Sequence, residues 1–160
     1  MSEGAPAPTV QLPTLPPFFS LVVQDIVDST NDEVVRHAEG GALEGLLVWA
    51  RCQRQGRGRS GRQWVSPVGN LYCSVLLRPL AQPSIAAQLV FVVGIAVREC
   101  VAKLVKKDRD VLCKWPNDIL VDGKKVAGIL LEAVAEGETT RVIVGIGVNV
   151  AAHPSRTVHP

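Results

Sequence analysis

Between Gly45 and Arg98 the 160-residue chain has no acidic residue at all. Within that gap fall Arg51, Arg54, Arg57, Arg59 and Arg62, all inside twelve positions. No carboxylate lies close in sequence to neutralise them, so these arginines make a local anion site. The whole-chain charge excludes anything broader: 17 basic and 15 acidic residues leave +2, too little for a general polyanion-binding field. The four cysteines, Cys52, Cys73, Cys100 and Cys113, include no C-x-x-C pair and have no histidine beside them. Zinc-cluster and disulfide-scaffold readings both need tighter spacing, so no protein-held metal is expected. Each cysteine sits in an apolar stretch and reads as a small buried hydrophobe in a reducing compartment. Met1-Ser2-Glu3-Gly4 lacks the basic start and apolar core of a signal peptide. The longest uncharged stretch, Pro79 to Val97, contains Gln82, Pro83, Ser84 and Gln88. It is too polar for a membrane span and reads as a buried helix, so a cytoplasmic protein with no membrane partner is expected.

Hydrophobic residues make up 47% of the chain and charged residues 20%, the balance of one globular domain. Five prolines crowd the first seventeen residues, which predicts a tail over 1–17 leading into a domain over 18–160. A strand follows from Phe19 to Val23, ending at Asp28. A helix then starts at Ser29-Thr30-Asn31, where Thr30 and Glu33 have capping-box spacing, and stops at Gly40-Gly41. Strands are predicted over Leu46–Ala50 and Leu71–Leu77, with a long irregular loop from Gln53 to Gly69 between them. A helix over Ser84–Val105 carries Ile85, Leu89, Val92, Ala96 and Val97 on its buried stripe. A β-meander closes the chain: Val111–Trp115, Ile119–Val121, Val126–Val134 and Thr140–Val148, turned at Asp122-Gly123 and at Glu136-Gly137-Glu138. Strand and helix do not alternate, so the predicted class is mixed α+β with a largely antiparallel sheet.

Gly56-Arg57-Gly58-Arg59-Ser60-Gly61 is a literal G-x-G-x-x-G, yet both familiar readings of it fail. A dinucleotide fingerprint opens a helix and has an acidic residue about twenty positions on. Here Gln63-Trp64-Val65-Ser66-Pro67 follows, and the next acidic residue is Glu99. A P-loop needs Lys-Ser/Thr where this chain has Arg62-Gln63. What remains is a loop of backbone N–H groups and guanidinium forks, the two things that hold carboxylate and phosphate oxygens. A solvated basic loop and an RNA-binding arginine–glycine segment stay open as alternatives, the latter weakened because only Trp64 at the loop edge could stack on a base.

Lys114-Trp115-Pro116-Asn117-Asp118 puts a lysine, a rigid turn and a carboxylate within five residues. Lys125 then precedes the apolar run Val126-Ala127-Gly128-Ile129-Leu130, so the two segments read as a pocket wall or as an ordinary surface turn. Val144-Gly145-Ile146-Gly147-Val148-Asn149 is an apolar strand broken by two glycines, which suggests close approach of a ligand or another backbone.

Taken with Asp28-Ser29-Thr30-Asn31 and Gln53-x-x-Gly56-Arg57-Gly58-Arg59-x-Gly61-Arg62-x-Trp64, these segments resemble, in order, the signatures of the biotin protein ligases, the biotin–[acetyl-CoA-carboxylase] ligases. The resemblance covers about residues 19 to 150. It implies a catalytic domain related in fold to the class II aminoacyl-tRNA synthetases. It also implies a two-step reaction. Biotin and MgATP give biotinyl-5′-AMP and pyrophosphate, and a lysine of a biotin carboxyl carrier protein of acetyl-CoA carboxylase then takes the biotin and releases AMP. By that resemblance Ser29, Thr30, Asn31, Gln53 and Gly128 face biotin, and Arg57, Gly58, Arg59 and Lys125 hold its carboxylate and the phosphate. Gly56, Arg62, Trp64, Lys114, Asn117 and Asn149 are the remaining nucleotide-side residues. Arg59, Lys125 and Asp118 are the catalytic set, with Asp118 orienting or deprotonating the acceptor amine. Mg2+ accompanies ATP.

Many members carry a second arginine where this chain has Ser60. The resemblance places a further helix and an SH3-like barrel beyond the Gly-Val-Asn strand, whereas this sequence stops eleven residues after Asn149. A domain shortened in that way is expected to bind biotin more securely than ATP or the carrier. Too few residues precede the strand at Phe19 for the DNA-binding domain of some relatives, so no nucleic-acid partner is expected. A homodimer is compatible with these residues. A lipoate-type acyl ligase and a biotin-binding module with little ligase activity are the alternatives.

Overall fold

The computed structural model describes residues 12–153, so residues 1–11 of the expected tail and residues 154–160 of the expected domain lie outside the described residues. The elements in chain order are β1 (Ser20–Val27), α1 (Thr30–Glu39), β2 (Leu46–Gln53), β3 (Leu71–Leu77), α2 (Pro83–Ala86), α3 (Leu89–Leu104), β4 (Val111–Lys114), β5 (Asp118–Val121), β6 (Lys124–Glu136) and β7 (Thr139–Val148). All seven strands join one sheet in the order β1-β2-β3-β7-β6-β5-β4. β1 and β2 are parallel, and the other pairings are antiparallel. The fold is α+β with a mostly antiparallel sheet, as the element pattern predicts.

Alternation along β7 sorts its residues between the two faces of the sheet. Ile143 packs with Val34 and Ala38 of α1 and with Leu46, Val48 and Leu76. Val142 and Val144 turn to the other face, against Ala86 of α2 and Leu89, Val90, Val93 and Val97 of α3. Gly145 and Gly147 follow Ile143 on the α1 face, and the register sets them opposite Ser74 and Tyr72 of β3 on one side and Leu130 and Gly128 of β6 on the other. Three glycines thus leave a patch of sheet bare beside α1. The β5–β6 hairpin is closed by Asp122 and Gly123, both in the left-handed region (φ 49° and 76°), which the twist of a two-residue hairpin favours.

Three local expectations are corrected. Ser29, not Thr30, caps α1; the Thr30 hydroxyl is drawn away from the helix toward Gln53 and Ser74. The helix expected over 84–105 runs as α2 and α3 with Ala87 and Gln88 still helical between them, but its sheet-facing stripe is different. Ile85 and Val92 are 58% and 61% exposed and Ala96 is exposed, while Ala86, Val90, Val93 and Val101 face inward with Leu89 and Val97. Residues 83–104 therefore do not form the buried helix predicted. By length and composition alone they could cross a bilayer, a property that core helices of soluble proteins share. Finally, Cys100 and Cys113 are exposed.

Candidate active site

The bare patch of sheet is the floor of a cavity of about 350 Å3, the size of a small-molecule site. Its walls come from the start of α1, the end of β2, the glycine–arginine loop, the β4–β5 turn and the middle of β6 and β7. Of the predicted site residues, Ser29, Thr30, Asn31, Gln53, Arg57, Gly58 and Arg59 all line it. So do Arg62, Trp64, Asn117, Asp118, Lys125, Gly128 and Asn149. Two do not line this cavity: Lys114 is exposed on β4, and Gly56 is buried beneath the loop.

Gly56 is a glycine for a steric reason. A Cβ there would collide with the Trp64 carbonyl and come 2.6 Å from Ser66 Oγ. The close approach lets the Trp64 N–H donate to the Gly56 carbonyl at 2.8 Å, folding the loop back on itself. Trp64 then lies flat on the floor. Cβ atoms at Gly147 and Gly128 would stand 2.6 Å and 3.1 Å from its ring atoms. The sequence signal at Gly145 and Gly147 was close approach by a ligand or a backbone; what approaches is the Trp64 indole at Gly147 and the Asn31 side chain at Gly145. The indole Nε1 is buried and has no hydrogen-bond partner among the described residues.

A polar chain runs under the cavity. The Trp64 carbonyl accepts from Ser66 Oγ (2.9 Å), Ser66 Oγ from Gln53 Nε2 (2.9 Å), and Gln53 Oε1 from the Thr30 N–H (2.9 Å). Ser74 Oγ lies 2.7 Å from Thr30 Oγ1 and 2.6 Å from Asn31 Oδ1. The Thr30 Oγ1 lies 3.1 Å from Gln53 Oε1 as well, and each hydroxyl has one proton, so the Ser74 and Thr30 protons are shared along the line Asn31 Oδ1, Ser74, Thr30 and Gln53 Oε1. Asn31 Nδ2 in turn donates to Glu132 Oε2 at 2.7 Å and to the Leu130 carbonyl at 3.4 Å. Thr30, Asn31 and Ser74 are all buried, and buried polar groups that are all satisfied make a stiff floor. Ser29 makes no side-chain cap bond, which leaves its hydroxyl available to a ligand.

Charge is divided unevenly. Arg57 donates to Asp32 at 2.6 Å and to Glu132 at 3.1 Å, so its guanidinium is already neutralised. Arg59 touches only a neutral amide, Asn117 Oδ1 at 3.3 Å, and Arg62 only the Arg59 carbonyl at 3.4 Å. Among the described residues neither has a carboxylate partner. They are the free cations of the loop, whereas the resemblance implies that Arg57 and Arg59 both hold the carboxylate and phosphate. Lys125 Nζ is 2.8 Å from Asp118 Oδ1 and 5.2 Å from the centre of the Trp64 ring. The Lys125 contact is an ion pair that occupies Asp118 Oδ1.

Asn149 is set by Asn70, whose side-chain oxygen accepts from the N–H groups of Val150, Ala151 and Ala152 at 2.9, 2.9 and 3.0 Å. Asn70, Ser66, Ser74, Asp32 and Glu132 are the supporting residues that sequence reasoning missed. Desolvation pushes the Cys73 thiol up to about 12, so it is no thiolate nucleophile at neutral pH. No group of three or more His, Cys, Asp or Glu that could hold a metal ion exists among the described residues.

Comparison with known proteins gives the family of the chain. Residues 23–149 match the Biotin/lipoate A/B protein ligase family. Over 129 residues the chain is 45% identical to the biotin–[acetyl-CoA-carboxylase] ligase of Paracoccus denitrificans, covering 79% of this chain and 53% of that one. Over 134 residues it is 39% identical to the bifunctional ligase/repressor BirA of Escherichia coli, covering 82% and 41%. Among solved structures, the biotin protein ligase of Leishmania major in complex with biotinyl-5-AMP superposes with a TM-score of 0.72 at 32% identity, over 89% of this chain and 61% of that one. The Aquifex aeolicus enzyme in complex with biotin and ATP gives a TM-score of 0.67 at 36% identity, over 84% and 55%. The chain spans about half the length of the curated relatives it matches. On the match over residues 23–149, the chain belongs to the Biotin/lipoate A/B protein ligase family.

Proposed function

We propose that this chain carries the catalytic site of a biotin–protein ligase, which condenses biotin with ATP and passes the biotinyl group to a lysine of a biotin carboxyl carrier protein. The observation that supports this most is the division of one cavity into two parts: a rigid polar floor beneath Ser29 and a cluster of cations, Arg59, Arg62 and Lys125. A ring with N–H and C=O groups suits the first part, and a carboxylate meeting a phosphate suits the second.

In the first half-reaction an oxygen of biotin's carboxylate bonds to the α-phosphorus, and the bond from that phosphorus to the bridging oxygen of pyrophosphate breaks. Two anions must meet, so fixed positive charge at the contact stabilises the transition state more than the separated reactants. Arg59, on Asn117, and Lys125, on Asp118, line the same cavity and supply it. Trp64, flat on the floor, offers a face for the adenine ring. In the second half-reaction the acceptor amine bonds to the acyl carbon and AMP leaves with the oxygen. The amine, ordinarily protonated with a pKa of about 10.4, must first give up a proton. Asp118, a carboxylate lining the same cavity beside Lys125, is the group to accept or orient it. Mg2+ enters with ATP as part of the substrate, and the described residues give it no cage of their own.

Biotin-dependent exchange of pyrophosphate into ATP tests the first half-reaction on this chain. Exchange with biotin, none with lipoate, and loss of about 10²-fold or more on Arg59→Ala are expected. Lipoate offers no ring N–H or C=O to the Ser29 end, so lipoate-dependent exchange would move the assignment to the lipoate branch. Biotin binding without exchange would reduce the chain to a binding module.

A further inference from the structure

We propose that Glu132, with Asp32, is a latch that holds the glycine–arginine loop over the cavity through Arg57. Both carboxylates accept from one guanidinium nitrogen, Asp32 at 2.6 Å from α1 and Glu132 at 3.1 Å from β6. The same Glu132 oxygen takes the Asn31 amide at 2.7 Å. The hydrogen-bond chain that leaves the loop at the Trp64 carbonyl therefore returns to it at Arg57, after passing through Ser66, Gln53, Thr30, Ser74, Asn31 and Glu132. Glu132 is the only one of these that joins the buried floor directly to a loop guanidinium.

Two consequences follow. Arg57 acts on the loop's position, while ligand charge is left to Arg59 and Arg62. The latch is also partly solvated, with the three side chains 41%, 41% and 35% exposed. Such ion pairs are individually weak and screened by salt, so the loop is held without being locked. Glu132 and Asp32 are positioning residues: they touch neither end of the cavity's free chemistry but decide where Arg57, and the cations beyond it, stand. Their importance for ligation rests on the ligase reading; the latch itself does not.

The test uses the full chain with Glu132→Gln, Asp32→Asn and the double variant. Glutamine keeps an acceptor for Asn31 and removes only the charge, so the floor stays intact. Without ligand, tryptic cleavage after Arg54, Arg57, Arg59 or Arg62 is expected to rise about fivefold in the double variant, with no rise elsewhere and an unchanged urea midpoint. Raising salt to 0.5 M should speed loop cleavage in the parent protein by a similar factor and leave the double variant unaffected. In the exchange assay the KM for biotin should rise about as much while kcat stays within about twofold. Loop cleavage that does not change in folded variants overturns the latch, as does cleavage that rises equally along the whole chain. If the parent shows no exchange, the ligase reading fails, and proteolysis and its salt dependence still decide the latch.

Discussion

Replacing Lys125 by alanine is expected to slow biotin-dependent pyrophosphate exchange by about 10²- to 10³-fold with little change in stability. Lys125 is mostly shielded from solvent, at 20% exposure, and its ammonium lies 2.8 Å from Asp118. Alanine removes a cation from the point where two anions must meet. It also leaves the Asp118 carboxylate unpaired in the same cavity, where it repels both. The second effect can be measured separately. With Asp118→Asn added to Lys125→Ala, part of the lost first-step rate should return, because the stranded negative charge is gone, whereas transfer to the carrier lysine should fall further. Lys125→Arg keeps the charge but exchanges a compact ammonium for a planar fork, so its rate should lie between those of the parent and the alanine variant. Exchange within about threefold of the parent in Lys125→Ala would remove this residue from the chemistry.

The loop arginines, the Asn-Asp turn and the glycine-broken strand were legible because each is compact in sequence, and the fold brings fourteen of the sixteen predicted residues to one cavity. The supporting residues were not legible, for a different reason. Arg57 finds its carboxylates 25 and 75 positions away, and Asn31 meets Ser74 43 positions away. A polar residue alone in an apolar strand, as Ser74 is, signals that a partner exists without saying which one. Helix α3 failed in the opposite way. From Leu89 to Val97 nearly every residue is apolar, so periodicity cannot say which face the sheet covers, and Ile85, Val92 and Ala96, expected on the buried stripe, lie on the solvent side. Thr30 shows how tertiary contacts override a local signature: its capping-box spacing with Glu33 is intact, yet Gln53 and Ser74 compete for the hydroxyl and win. Arg57 and Arg59 look equivalent two positions apart, and only the sheet register behind them, which brings Glu132 to the loop, separates their roles.

The two glycines of β7 that face the cavity are expected to fail in different ways when changed to alanine. At Gly145 a Cβ would collide with Asn31 Oδ1. That oxygen cannot retreat: Asn31 is 3% exposed and bonded to Ser74, Leu130 and Glu132. Relief requires breaking buried hydrogen bonds or shifting α1, so Gly145→Ala should destabilise the fold by about 3 kcal/mol, read as a lowered urea midpoint. At Gly147 the Cβ would meet Trp64 Nε1 and Cε2 at 2.6 and 2.7 Å. Trp64 stands on a loop, and its Nε1 has no hydrogen bond to lose. The indole can therefore lift away at small cost to stability, carrying the face proposed for adenine and the loop edge with it. Gly147→Ala should keep a near-parental midpoint while adenylate formation falls by about 10²-fold, the scale of a misplacement near 1 Å. Calorimetric titration with biotin and exchange kinetics on the two variants separate these outcomes. Equal losses of stability would mean that Trp64 is as fixed as Asn31, and the loop would then be part of the floor.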